Sequence, residues 1–249
     1  MNITVKHFKT LEKKNKSAIF LGCGPSINEL SDEEIKFIND NFDVWTSNCF
    51  LINKDLIPDF YHMEIKHHRN GPLVDRLAEK RKDLYKDVAW IIDQTRPYIL
   101  SYVKPTDYST ENIYIYPKKY RQEKNGKYKV SAEDNEVSVS CNASLTVISD
   151  LMMRQKYDCI YFLGVDMGDS RYFWTDNPKY KDVKIEDIIK TCKAEERNPD
   201  ELHPTFTLQD YLPEFFDYNQ QKSVNLSRNS LLSKKMETKT IKELMNEYK

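Results

Sequence analysis

The chain has 249 residues, 39% hydrophobic and 31% charged, enough for one α/β domain with a true core, while no apolar run approaches the ~20 residues that span a bilayer. With 38 Lys+Arg against 39 Asp+Glu, a formal net charge of -1 supplies no general positive field, and nucleic acid is not an expected partner. The 5 cysteines and 5 histidines contain no C-x-x-C pair and no metal-ligand spacing, so reduced thiols, an intracellular setting and no bound metal are expected.

In chain order, residues 1–16 alternate charge with single apolar residues and lack the apolar core of a secretion signal, which points to the cytoplasm. Strands are predicted at Ser17–Gly22, Phe42–Ser47, Asp59–Met63, Val88–Ile92, Asn112–Tyr116, Cys159–Gly164 and Ser223–Leu226. Apolar residues at three- and four-residue spacing predict helices at Ile27–Asn39, Val74–Tyr85, Ala143–Gln155, Leu208–Gln220 and Lys239–Tyr248. Most of the strand segments are apolar throughout, as parallel strands covered on both faces are. Strand and helix alternate, so the expected fold is a single α/β domain over 1–249: a doubly wound, Rossmann-like, mostly parallel sheet with its site at the carboxyl ends of the strands. Two segments break the alternation. Lys118–Val137 reads as a loop or small hairpin around Asn125-Gly126, and an insertion at about 167–205, holding Tyr172, Phe173, Trp174, Tyr180 and His203, reads as a lid or as a surface excursion. A basic, weakly amphipathic helix at about 235–249 closes the chain, either as a cap or as an element resting on the inner membrane surface or between subunits of a homo-oligomer.

The first expected strand runs into Gly22-Cys23-Gly24-Pro25-Ser26. Glycines there allow a tight turn and close backbone approach, and Ser26 is placed to cap the next helix with free N–H groups facing a phosphate; simple packing of the turn is the other reading. The third glycine of a dinucleotide fingerprint is Ile27, and the second strand ends Thr46-Ser47-Asn48 without an acid, which disfavours NAD and weakens S-adenosylmethionine. No G-K-[ST] follows the turn, so a P-loop is absent. Asn48 offers an amide to a ligand or pins its own loop; Asn142 and Ser144, in Ser138–Ser144, either cap the following helix or touch the ligand. Asp166, in Gly164-Val165-Asp166-Met167-Gly168, can orient a loop or a ligand. There is no D-x-D, the usual holder of a metal-bridged sugar nucleotide.

The order G-x-G-P-S, strand-two Asn, serine-bearing helix start, G-V-D, Tyr- and His-containing insertion and Asn-Ser-Leu-Leu resembles the bacterial sialyltransferases of glycosyltransferase family 42 and, more loosely, DUF115 and motility accessory factor-like proteins, from Ser17 to Leu232. The resemblance implies transfer of a nonulosonic acid from its CMP derivative, inverting and without metal or other cofactor, to a glycan acceptor in lipooligosaccharide or capsule biosynthesis. Gly22, Cys23, Gly24, Pro25 and Ser26 match the nucleotide-binding turn, with Cys23 in place of an asparagine. Asn48 matches a CMP-binding asparagine, and His62, in Phe60-Tyr61-His62, stands where the family has a ligand-contacting amide. Ser144, or Asn142, matches the donor-binding serine; of two leaving-group tyrosines the second matches Tyr172, while the first position holds Gly168. His203 matches the catalytic histidine, and Asn229 and Ser230 fall in the segment matching C-P-N-S-L-L.

The expected function is therefore a metal-independent, inverting, sialyltransferase-like glycosyltransferase, with His203 as base and Tyr172 at the leaving phosphate. The departures at Cys23, His62 and Gly168 leave the donor open. Two alternatives stand beside it: a pterin diphosphokinase using ATP-Mg, and a non-catalytic nucleotide- or glycan-binding accessory protein.

Overall fold

Runs of four or five apolar residues, rich in aromatic and β-branched side chains, are what a strand covered on both faces requires, and the chain supplies them repeatedly. A computed structural model describes residues 5–63, 77, 80–93, 112–120, 137–139, 144–167, 171–175, 177–181 and 208–248. Its strands are β1 (Val5–His7), β2 (Ala18–Leu21), β3 (Asp43–Ser47), β4 (Phe60–Met63), β5 (Ala89–Asp93), β6 (Ile113–Tyr116), β7 (Lys118–Tyr120), β8 (Val137–Val139), β9 (Ile160–Leu163) and β10 (Ser223–Asn225). Eight of them build open sheet structure, ordered β1-β6-β5-β4-β3 in one compact unit and β2-β9-β10 in the other. The strand pairs within each part of it are parallel, a Rossmann-like α/β arrangement. Among the described residues no helix is long and apolar enough to cross a membrane.

The chain divides into two compact units, Met1–Lys14 with Trp45–Lys156 and Asn15–Val44 with Tyr157–Lys249. In the first, β3, β4 and β5 carry an aromatic core: Trp45 stacks on Phe60 with centroids 4.7 Å apart, and Tyr61 meets Trp90 edge-on at 4.7 Å. Such pairs contribute about 0.5–1.5 kcal/mol beyond their burial. Helix α2 (Ser144–Arg154) belongs to this unit and buries Val147, Ile148 and Leu151. In the second unit β2 pairs with β9, and β9 with β10, and every residue of β2 and β9 is buried. Asp43, wholly buried there, accepts from the Asn15 N–H at 2.9 Å and from the Tyr157 hydroxyl at 2.8 Å, the pairing a buried carboxylate needs. Helices α1 (Asp32–Asn41), α3 (Leu208–Tyr218) and α4 (Ile241–Glu247) complete this unit. Helix α4 lies against α1, and Tyr248 beyond it packs on Phe37 and Phe42.

The seven predicted strands are present within a residue or so of their expected limits, and α2 and α3 match Ala143–Gln155 and Leu208–Gln220. Three expectations are corrected. Residues 5–7 form an edge strand that the charged alternation concealed. The helix expected at Ile27–Asn39 is a short 3₁₀ turn, Pro25–Glu29, followed by α1 from Asp32, because Ser31 and Glu34 form a reciprocal capping box there. The Lys118–Val137 segment opens and closes on strands that pair in parallel, so it is not a hairpin, whose strands must be antiparallel. Of the helix expected at Val74–Tyr85, Leu77 and Lys80 are helical and the Arg81 and Tyr85 N–H groups donate to the Leu77 and Arg81 carbonyls at 3.1 and 3.0 Å, while its other residues before 80 and most of the insertion at about 167–205 lie outside the described residues.

Candidate active site

In the second unit, the ends of β2 and β9 meet back to back, and glycine is what lets them. The Gly22 N–H donates to the Leu163 carbonyl at 2.7 Å and the Gly24 N–H to the Gly164 carbonyl at 2.8 Å. A methyl group on Gly22 would run into the Gly164 carbonyl, and one on Gly24 into the Asp166 carboxylate and, at 2.7 Å, the Gly164 oxygen. Gly164 itself has φ +73 and would set a methyl 2.7 Å from the Gly22 oxygen. The bare Cα positions thus serve contact between two turns of the same chain. Gly24 precedes the 3₁₀ turn as its cap, with Pro25 in the first position, where a missing N–H costs nothing.

Ser26 does not cap α1. Its N–H donates to Asp166 Oδ2 at 2.8 Å and its hydroxyl to Asp166 Oδ1 at 2.9 Å. Its Oγ also lies 3.0 Å from Ser227 Oγ, which accepts the Gly164 N–H at 3.1 Å. Ser227 and Ser230 are buried; Ser230 donates to the Val165 carbonyl at 2.6 Å and caps the 3₁₀ turn Leu231–Lys234, whereas Asn229 is exposed. Tyr172 joins the same unit beside the turn. The Phe173 N–H donates to the Cys23 carbonyl at 2.9 Å, and Asn28 and Asn177 hold the Phe173 carbonyl at 2.7 and 3.3 Å. The half-buried Tyr172 ring lies parallel to Trp174, with centroids 4.4 Å apart and planes 9° apart.

In the first unit, Asn48 follows β3 with φ 48, a left-handed conformation that asparagine tolerates better than most residues. Its side-chain amide donates to Ser144 Oγ at 2.9 Å, at the first residue of α2, and its carbonyl accepts the Tyr61 hydroxyl. His62 is fully buried in β4, with Nε2 2.7 Å from the Tyr116 hydroxyl. Asn142, Gly168 and His203 lie outside the described residues. Ser227 and Tyr61 lie in segments that carry the resemblance, but their partners, and Tyr116 altogether, are not marked in the sequence. Ser227 opens the S-R-N-S-L-L segment that drew attention only to its later residues, and nothing local to either tyrosine marks its partner. Among the described residues no group of three or more His, Cys, Asp or Glu side chains could hold a metal ion.

No family model matches the chain, and no curated protein matches it. Among solved structures, the sialyltransferase CST-II in complex with a trisaccharide acceptor and CMP is similar, with a TM-score of 0.51 and 13% identity over 89% of this chain and 85% of that one. The fold is sialyltransferase-like. The α-2,3/8-sialyltransferase CstII, as a point mutant, aligns at a TM-score of 0.48 and 13% identity over 89% of this chain and 86% of its own. At this identity the likeness is one of architecture, so a sialyltransferase-like, and more broadly a glycosyltransferase-like, fold is the finding.

Proposed function

We propose that the protein is an inverting glycosyltransferase that moves a nonulosonic acid, or a related sugar, from a CMP-activated donor to a cell-surface glycan without a metal ion. The observation that carries this reading is convergence. The Gly22–Ser26 turn, Asp166 and Ser227 come from three segments of the family 42 resemblance, and they are hydrogen-bonded to one another across 140 and 201 residues of chain. The metal-free chemistry is supported by a sequence with no D-x-D.

In this mechanism the acceptor hydroxyl attacks an oxocarbenium-like anomeric carbon as the bond to the CMP phosphate breaks. His203, in its neutral form, takes the hydroxyl proton. Negative charge grows on the departing phosphate, where the Tyr172 hydroxyl donates a hydrogen bond. Asn48, Asn142, Ser144 and Asn229 are the donor-side candidates, whereas the Gly22–Ser26 turn, Asp166 and Ser230 are engaged by partners within the protein and His62 is buried against Tyr116.

The test is nucleotide release from a panel of CMP-, UDP- and GDP-sugars, with and without EDTA. Release of CMP that EDTA leaves unchanged, and loss of turnover by about 10²–10⁴-fold in His203→Ala with CMP still bound, is the expected result. Stabilisation by ATP-Mg alone would favour the diphosphokinase alternative, and no response to any nucleotide would favour an accessory role.

A further inference from the structure

We propose that Asp166, Ser26 and Ser227 are positioning residues rather than ligand contacts: a directional hydrogen-bond chain that sets the shape of the Gly22–Ser26 turn. The direction follows from what each group can do. The Asp166 carboxylate only accepts, and it takes both the N–H and the O–H of Ser26. With its proton committed to Asp166, the Ser26 oxygen can only accept from Ser227, so the 3.0 Å contact runs from the Ser227 hydroxyl to Ser26. Ser227 Oγ in turn accepts the Gly164 N–H. The chain therefore reads Gly164 N–H to Ser227 to Ser26 to Asp166, ending on a charge, and each link polarises the next. Ser227 is held from the other side as well: its N–H donates to Asn225 Oδ1 at 3.2 Å, and Asn225 Nδ2 donates to its carbonyl at 2.9 Å.

Two consequences deepen the transferase reading, on which the kinetic part of this inference rests. The N–H groups of Gly22, Gly24, Ser26 and Ile27 all point at acceptors of the protein itself, at 2.7, 2.8, 2.8 and 3.3 Å. A carboxylate, not an anion seat, lines the turn at Gly24 and Ser26. The charge of a donor phosphate is then met away from these groups, and the turn acts as a wall whose placement the chain controls. Loosening that wall weakens donor binding while leaving the bond-breaking step intact.

The experiment compares wild type, Ser26→Ala, Ser227→Ala, Asp166→Asn and the double variant Ser26→Ala/Ser227→Ala in amide hydrogen exchange and in donor kinetics. Asp166→Asn presents an NH₂ group to Ser26, which reverses the chain and leaves the Ser227 hydroxyl without an acceptor. Each single variant is expected to speed exchange of the Gly24 and Ser26 amides about tenfold with the α1 amides unchanged. The double variant should be no faster than Ser26→Ala. Donor KM should rise about tenfold with kcat within about twofold. Exchange at residues 24–27 unchanged in Ser26→Ala, additive effects in the double variant, or a fall in kcat at constant KM would each overturn the proposal. Should Ser227→Ala fail to fold, Ser26→Ala at its half-buried position carries the same test. If wild type releases no nucleotide from any sugar donor, the transferase reading falls, and the exchange measurements still decide whether the chain positions the turn.

Discussion

A single methyl group at Gly24 would have to displace both the Asp166 carboxylate and the Gly164 carbonyl, and the second is backbone. Gly24→Ala is accordingly expected to destabilise the fold by about 1–3 kcal/mol, the usual cost of overpacking. Gly164→Ala adds a positive φ to a contact of 2.7 Å with the Gly22 oxygen and should cost at least as much. Urea midpoints for the two variants check both, and a midpoint near that of wild type for Gly24→Ala would mean the turn has slack that the structure does not show. The sequence reading of these glycines left phosphate approach and packing open, because both demand a bare Cα and the sequence does not say which atom comes close. His62 illustrates the same limit. It was legible as a polar residue where a related family has an amide, but every residue of β4 is buried, so alternation along the strand could not reveal that it meets Tyr116.

Helix α1 begins where its cap is, not where its first apolar residue is. Ser31 accepts the Glu34 N–H at 3.3 Å, while the Glu34 carboxylate takes the Ser31 N–H at 2.8 Å. Ser31→Ala should therefore cost about 1 kcal/mol and fray the first turn, whereas Ser26→Ala should leave the helicity of α1 intact. Exchange rates of the amides of residues 32–36 separate the two, and equal fraying in both variants would return the capping role to Ser26. The S-x-x-E signature was present in the sequence, but Ile27 and Leu30 drew the expected helix start four to five residues too early. Strands were easier to read because burial on both faces leaves an unbroken apolar run. Residues 5–7 escaped because that strand is half-buried at the sheet edge with Lys6 at its centre.

At the scale of the whole molecule, alternation of strand and helix made the parallel α/β architecture legible, while side chains brought together from distant segments were not. Two such groups give each unit its own alkaline limit. Tyr85 is fully buried against Tyr61 and Trp90, and burial pushes its hydroxyl far up, only partly offset by the Arg81 guanidinium. In the second unit burial raises Tyr161 in the same sense, reinforced by its neighbours Cys159 and Tyr248. A tyrosine that keeps its proton in the fold but ionises at about pH 10 when unfolded makes the folded state the one that binds more protons. Its stabilising contribution is complete below pH ~10 and is lost as the pH rises above that value, for Tyr85 by about 1.4 kcal/mol per pH unit. Tyr85→Phe removes one such proton, so its urea stability between pH 10 and 11.5 should fall less steeply than that of wild type. The variant should match or exceed wild type at pH 8, since no acceptor for the Tyr85 hydroxyl is found among the described residues. Identical slopes for the two proteins would show that Tyr85 ionises in the fold as readily as in the unfolded chain, and that the cluster around it admits water.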